Sequence, residues 1–204
     1  MSSRNPAFLA STIAGLAGFH FVIMLGDNIY HGGTSGHFEK RFELPYEPLL
    51  GAGVRFYASL VNHDSPCERF YKLSNMNGRR CYTFKKGNVR FFALDSNYMD
   101  PEQLQWLEQE LREAGEHWKI CFFHHPLYSD GRFHGPDLDA HGARIALRTL
   151  RVNVVLSGHD HVYERIRPQH GVDYFVLGSA CQSAVTVYAR PPRWRRDSMR
   201  IACL

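Results

Sequence analysis

Trp118-Lys119-Ile120-Cys121-Phe122-Phe123-His124-His125-Pro126 reads as a strand that runs out into chemistry. The run is mostly apolar and aromatic, with the length of a buried strand, and two imidazoles and a proline close it. A second stretch follows the same pattern: Val152 to Ser157 is an apolar strand ending at Gly158-His159-Asp160-His161. Two more lie upstream. Phe19 to Leu25 is a short apolar run closed by Gly26-Asp27, and Val54 to Val61 is rich in β-branched and aromatic residues and ends at Asn62-His63-Asp64. Four predicted strand ends therefore deliver Asp27, Asn62, His124 and the pair His159 and His161.

The remaining segments fill in an α/β chain. Cys81 to Phe84 and Val89 to Leu94 flank Lys85-Lys86-Gly87-Asn88, a hairpin signature. Asp100-Pro101-Glu102-Gln103 starts a helix, with an Asp cap, Pro at the first helical position and Gln where a capping box places it. Leu104, Leu107 and Leu111 continue it on one face, and Gly115 is its stop. Ala143 to Leu150 reads as a helix and Tyr174 to Leu177 as a last strand. Helices and strands mix, partly alternating and partly as a hairpin. That predicts a layered α/β domain with a mixed sheet or two packed sheets.

Composition excludes several classes. The 204 residues are 44% hydrophobic and 22% charged, which permits one domain with a sizeable core and argues against long disorder. The formal charge is +4, much of it in the last fifteen residues. The balanced remainder does not suggest a nucleic-acid scaffold. Five cysteines, an odd count without a Cys-x-x-Cys pair, argue against a disulfide framework or a thiolate zinc site. The apolar stretch Ala7 to Leu25 is broken by Ser11, Thr12 and His20 and leads directly into Gly26-Asp27. A helix, Pro6 to Leu16, followed by a strand suits it better than a leader or a membrane span. The expected layout is one domain over residues 1–189 and a basic, disordered tail over 190–204. The expected compartment is the cytoplasm.

Each cluster alone reads as a turn or a helix cap. Their joint occurrence, one at each strand end, points to metal. Ligands gather beyond the carboxyl ends of strands in α/β sheets. Carboxylate, amide oxygen, imidazole and phenolate without thiolate suit hard or borderline cations. One carboxylate with two oxygens can bridge two ions about 3.5–4 Å apart.

In order, Gly26-Asp27-Asn28-Ile29-Tyr30, Asn62-His63-Asp64, Cys121-Phe122-Phe123-His124 and Gly158-His159-Asp160-His161 resemble the motifs of the calcineurin-like metallophosphoesterases. Tyr30 at the end of the first points to the purple acid phosphatase branch, and the likeness to its bacterial single-domain members runs from about Gly26 to Ser179. The resemblance implies a four-layer α-β-β-α sandwich, here truncated at both ends. It implies hydrolysis of phosphate monoesters at a two-metal site with metal-bound hydroxide as nucleophile. By the same resemblance Asp27 bridges both metals, and Tyr30 and His161 bind the first, an iron. Asn62, His124 and His159 bind the second: iron, zinc or manganese. His63 and His134 face the substrate phosphate. Apart from the resemblance, Asp160, Glu164 and Asp95 are candidates to orient the ligand histidines, the alternative for each being an ordinary loop or surface carboxylate. The implied partner is a small-molecule phosphate ester, with no membrane.

The pattern is departed from in places. The family's earlier Asp motif has no counterpart in the residues before Asp27, so the first metal site is expected to be weakened. Val61 stands where a Gly usually precedes Asn-His-Asp. A non-catalytic relative that binds metal or phosphate, and a nucleotide phosphodiesterase, are the alternative readings. A serine hydrolase is disfavoured because no Gly-x-Ser-x-Gly elbow is present.

Overall fold

The computed structural model describes residues 20–29, 35–61, 64–130 and 146–180. The expected helix Pro6–Leu16, the tail 190–204 and four expected site residues, Tyr30, Asn62, His63 and His134, lie outside these. Of the helix expected over Ala143–Leu150, residues 146–150 are described; 146–149 are helical and Leu150 is in a turn.

Two sheets appear among the described residues. The smaller pairs β1 (Phe21–Met24) with β2 (Arg55–Ala58) in parallel, Phe21 opposite Arg55 and Met24 opposite Ala58. The larger is built from β3 (Tyr82–Lys86), β4 (Val89–Ala93), β5 (Trp118–Phe123), β6 (Val154–Ser157), β7 (Tyr163–Gln169) and β8 (Val172–Leu177). Its order is β3-β4-β5-β6-β8-β7. The four middle strands β4, β5, β6 and β8 run parallel. The outer strands β3 and β7 run antiparallel to their neighbours.

Side-chain alternation stacks these sheets. On β4, Phe91 and Ala93 face one core while Phe92 faces another; on β5, Phe122 faces the first and Cys121 and Phe123 the second. Strands buried on both faces read as continuous apolar runs, which is why β5 looked so plain in sequence. The first core lies between the sheets: Phe21 and Ile23 of β1 and Tyr57 of β2 meet Tyr82, Phe91 and Phe122. The second core lies beneath α3 (Pro101–Glu113), whose Leu107 and Leu111 pack on Phe92, Cys121 and Phe123. A third core covers the outer face of the small sheet. There Val22 and Phe56 meet Phe38, Phe42 and Leu49 from α1 (Ser35–Phe38), a π-helical turn (Glu39–Glu43) and α2 (Leu44–Gly51). Helix, sheet, sheet, helix is the expected four-layer sandwich. Among the described residues no helix is long and apolar enough to cross a membrane.

Local expectations hold at the turns. Asp100 caps α3 by accepting from the Gln103 N–H at 2.8 Å. Gly87 takes φ +58 in the β3–β4 hairpin and Gly115 φ +56 after α3. One expectation needs correction. Gln103 does not close a capping box; its side chain is buried and donates to the carbonyls of Asp95 and Tyr98 while accepting from the Asp95 N–H. It pairs three backbone polar groups of the loop leaving β4, among them the buried Asp95 N–H.

The capping box sits elsewhere. Ser65 caps the 3-10 helix Pro66–Phe70, and Glu68 accepts from the Ser65 N–H at 3.0 Å. Glu68 is only 2% exposed. Burial pushes its carboxyl from the ordinary 4.5 up to about 7, against the pull of the Ser65 N–H and the Asn28 amide. Asp64 close by is raised in the same direction. The folded protein thus holds a proton here that the unfolded chain has released, and stability falls as pH rises through this window. Thermal melts of Glu68→Gln should show a flatter decline between about pH 4.5 and 7 than the parent. Parallel profiles would refute the assignment.

Candidate metal centre

Strand register brings the histidines together. β5 and β6 are parallel, with Phe123 opposite Ser157. The next residue of each, His124 and Gly158, continues the ladder through a Gly158 N–H bond to the His124 carbonyl, 2.9 Å. His159 follows, and its Nδ1 lies 2.9 Å from His124 Nε2. The small sheet supplies the rest. Beyond β1, the Leu25 carbonyl accepts from His124 Nδ1 at 2.7 Å. A carbonyl can only accept, so the ring hydrogen sits on Nδ1 and Nε2 presents its lone pair to the cluster. Asp27 Oδ2 lies 3.7 Å from that nitrogen. His124 is 2% exposed.

This approach needs glycine. A Cβ on Gly26 would stand 2.6 Å from His124 Nδ1, and Gly26 also takes φ +87. The next residue, Asp27, is itself left-handed at φ +53. On the facing loop His159 takes φ +64, and the Asp160 N–H bonds back to the Gly158 carbonyl at 2.8 Å. That is a three-residue turn of the strained, positive-φ kind. A second such short bond follows at once, Val162 N–H to the Asp160 carbonyl, 2.7 Å.

Carboxylates fix the surrounding loops. Asp64 Oδ1 accepts from the Asn28 and Ile29 N–H groups at 2.7 and 3.3 Å. Its Oδ2 accepts from the Asn28 amide and the Val61 N–H at 3.0 and 3.2 Å. One side chain thus ties the loop after β1 to the loop after β2. Burial and the Glu68 carboxylate push Asp64 up to about 8, while the Asn28 and Ile29 N–H groups pull it down. Asp160 accepts from the Ser129 hydroxyl and Glu164 from the Asp130 N–H, which joins the loop after β5 to the loop after β6 and to the start of β7. Asp95 accepts from the Asn97 N–H and pairs with Arg80 at 3.7 Å. The three carboxylates expected to orient ligand histidines brace loops in these bonds, and for His124 the orienting group is the Leu25 carbonyl.

The structure brings together Asp27, His124 and His159. His161 lies two residues further along the same loop, half-buried. The cluster gains a residue that sequence reading passed over: His125, whose ring centroid is 4.5 Å from that of His159 and 5.0 Å from that of His124. One ligand atom each from His124, His125 and His159 fall within 4.8 Å of one another. Its signal was the doubled His124-His125 at a strand end.

These residues fit a metal. Donors about 2.0–2.1 Å from a cation stand about 2.9 Å apart in octahedral and about 3.3 Å apart in tetrahedral geometry. The 2.9 Å between His124 and His159 nitrogens already meets this, and the 3.7 Å to Asp27 is a few tenths wider. Imidazole with carboxylate and no thiolate is the donor set of borderline divalent cations.

Known proteins share this architecture. The chain is 25% identical over 219 residues to tartrate-resistant acid phosphatase type 5 of Rattus norvegicus, an alignment covering 86% of the chain and 64% of the relative. It therefore spans less than two thirds of that protein's length. In fold it resembles the purple acid phosphatase PPD1 of yellow lupin, with a TM-score of 0.72 at 20% identity, over 93% of this chain and 42% of that one. It also resembles GAP50, described as the anchor in the inner membrane complex of Plasmodium, with a TM-score of 0.69 at 15% identity, over 88% and 69% of the two chains. The family model for calcineurin-like phosphoesterases matches residues 7–163, which takes in Asp27, His124 and His159, and the chain belongs to that family.

Proposed function

We propose that this chain hydrolyses phosphate monoesters at a two-metal site, as an acid phosphatase does. The meeting of Asp27, His124 and His159 at three strand ends, with their nitrogens and oxygen 2.9 and 3.7 Å apart, carries the reading. Likeness to a tartrate-resistant acid phosphatase over most of the chain supports it. A fold alone would not, since the same sandwich serves a protein described as an anchor.

Two bound cations, iron with iron, zinc or manganese, supply charge that neutralises a phosphoryl group and acidifies a water. The chain's residues do the rest. Asp27, with two carboxylate oxygens, would serve both ions. His124 and His159, with Asn62, would hold one; Tyr30 and His161 would hold the other. The Leu25 carbonyl keeps His124 in one tautomer and makes Nε2 a better donor. His124 follows β5 directly, so its ring is positioned by the strand itself. His63 and His134 bind phosphate oxygens or pass a proton to the leaving alcohol. A small-molecule phosphate ester is the substrate class.

Two experiments follow. The full chain, reconstituted with iron and zinc or manganese, should cleave p-nitrophenyl phosphate faster than the bis(p-nitrophenyl) diester. Asp27→Asn should lower the monoester rate by about a thousandfold, the loss of about 4 kcal/mol of charge stabilisation. Metal uptake without turnover would instead make the chain a binding relative, and a preference for the diester would make it a phosphodiesterase.

Gly26→Ala tests the geometry. Forced left-handed backbone and the clash with His124 together should destabilise the fold by about 2–4 kcal/mol. Metal affinity should drop with it, because the His124 ring must move. Denaturant unfolding and a metal titration read both effects, and a variant with unchanged affinity would sink the role given to Gly26.

A further inference from the structure

Ser96 leaves β4 as His125 leaves β5, and the two strands are parallel neighbours. Two bonds join these residues. The His125 N–H donates to Ser96 Oγ at 3.0 Å, and the same oxygen lies 2.9 Å from His125 Nδ1. Ser96 is 8% exposed. The contact therefore fixes both the backbone and the ring of His125.

Nδ1 meets Ser96, and Nε2 lies at the other edge of the ring from that contact. His124 is arranged in the same way, Nδ1 on the Leu25 carbonyl and Nε2 toward His159. An oxygen on the distal nitrogen is the usual arrangement for a metal-binding imidazole. The three rings are mutually tilted, at 61°, 74° and 85° between planes, with centroids 4.5–5.0 Å apart. Rings stacked for packing alone would not need three ligand atoms within 4.8 Å of one another.

We infer that His125 is a third imidazole ligand for the cation held by His124 and His159, with Ser96 as its positioning residue. The inference rests on the metal reading above and extends its donor set. Added to Asp27, His124, His159 and the Asn62 proposed above, His125 makes a five-donor group of three imidazole nitrogens, one amide oxygen and one carboxylate. Such a group suits zinc or another borderline divalent ion.

The test uses the full chain, stripped with a chelator and reloaded with Co(II), then with Zn(II) against a chromophoric competitor. His125→Ala and His125→Gln should weaken Zn(II) binding by about 100-fold or more, and Ser96→Ala by about 10-fold. The visible Co(II) spectrum should change in both His125 variants. In Ser96→Ala it should shift less, and Ser96→Thr should restore it. His20→Ala, an exposed histidine, should leave both readouts unchanged. Circular dichroism of the metal-free variants checks that each folds, and His125→Gln serves if His125→Ala does not. Parent-like affinity and spectrum in both His125 variants, alongside lost binding in His124→Ala, would overturn the proposal and leave the metal reading standing. A parent protein that takes up neither ion would overturn both.

Discussion

One hydrogen bond joins the two sheets where chemistry is expected: His124 Nδ1 to the Leu25 carbonyl, 2.7 Å, between residues 99 apart in sequence. β1 pairs only with β2 among the described strands, and β5 lies inside the other sheet. Aromatic packing of Phe21, Tyr57, Phe91 and Phe122 presses the sheets together, and the Tyr82 hydroxyl donates to the Ala58 carbonyl at 2.8 Å, but neither reaches the ends of β1 and β5. The bond does. It fixes the tautomer of His124, and Gly26 and Asp27 follow Leu25 directly, so it also places the carboxylate. Bulk burial holds the layers, and this contact aligns them.

Much of this could be read in the sequence. Strand ends at Phe123, Ser157 and Met24 are legible because buried strands are continuous apolar runs, and the polar residues closing them stand out. Edge elements are harder. β7 carries Arg165, Arg167 and Pro168 on an outer strand, with a register shift between Ile166 and Gln169. Charge and proline are how edge strands avoid pairing with other chains, and they also hide a strand from pattern reading. α2 was hidden by Pro45 and Pro48, the latter inside the helix; the turns of α1 and the π-helical segment before it supply the continuity that proline lacks. Gln103 fitted the capping-box pattern and was diverted by tertiary demand from the loop after β4.

The doubled His124-His125 marks His125 as a candidate, but its partner could not be read locally. Its neighbour Ser96 is 29 residues away, and their meeting depends on β4 lying beside β5. Strand order in a mixed sheet is a tertiary fact that no local pattern encodes. The clusters at Asp27, His124 and His159 needed no such knowledge, because each announces itself at its own strand end. Sequence therefore gives the donors and leaves open which of them share a centre.

Left-handed backbone at Asp27 and His159 shows how chemistry and folding select the same residue types. A non-glycine residue at positive φ costs on the order of 1–3 kcal/mol where surroundings enforce it. Asp, Asn and His are the types enriched there, and they are also metal donors. Positive φ alone marks nothing, since Asn75, with its amide on the Phe56 carbonyl at 2.7 Å, takes φ +53 in an ordinary turn. The distinction lies in what faces the residue. Asn75 spends its amide on backbone carbonyls, Leu73 beside it and Phe56 on β2, whereas Asp27 and His159 both face the side chain of His124, from the other sheet and from the neighbouring strand. Positive-φ backbone held against long-range partners preorganises these donors, and a hydrogen bond of 2.9 Å between His124 Nε2 and His159 Nδ1 keeps the two imidazoles together.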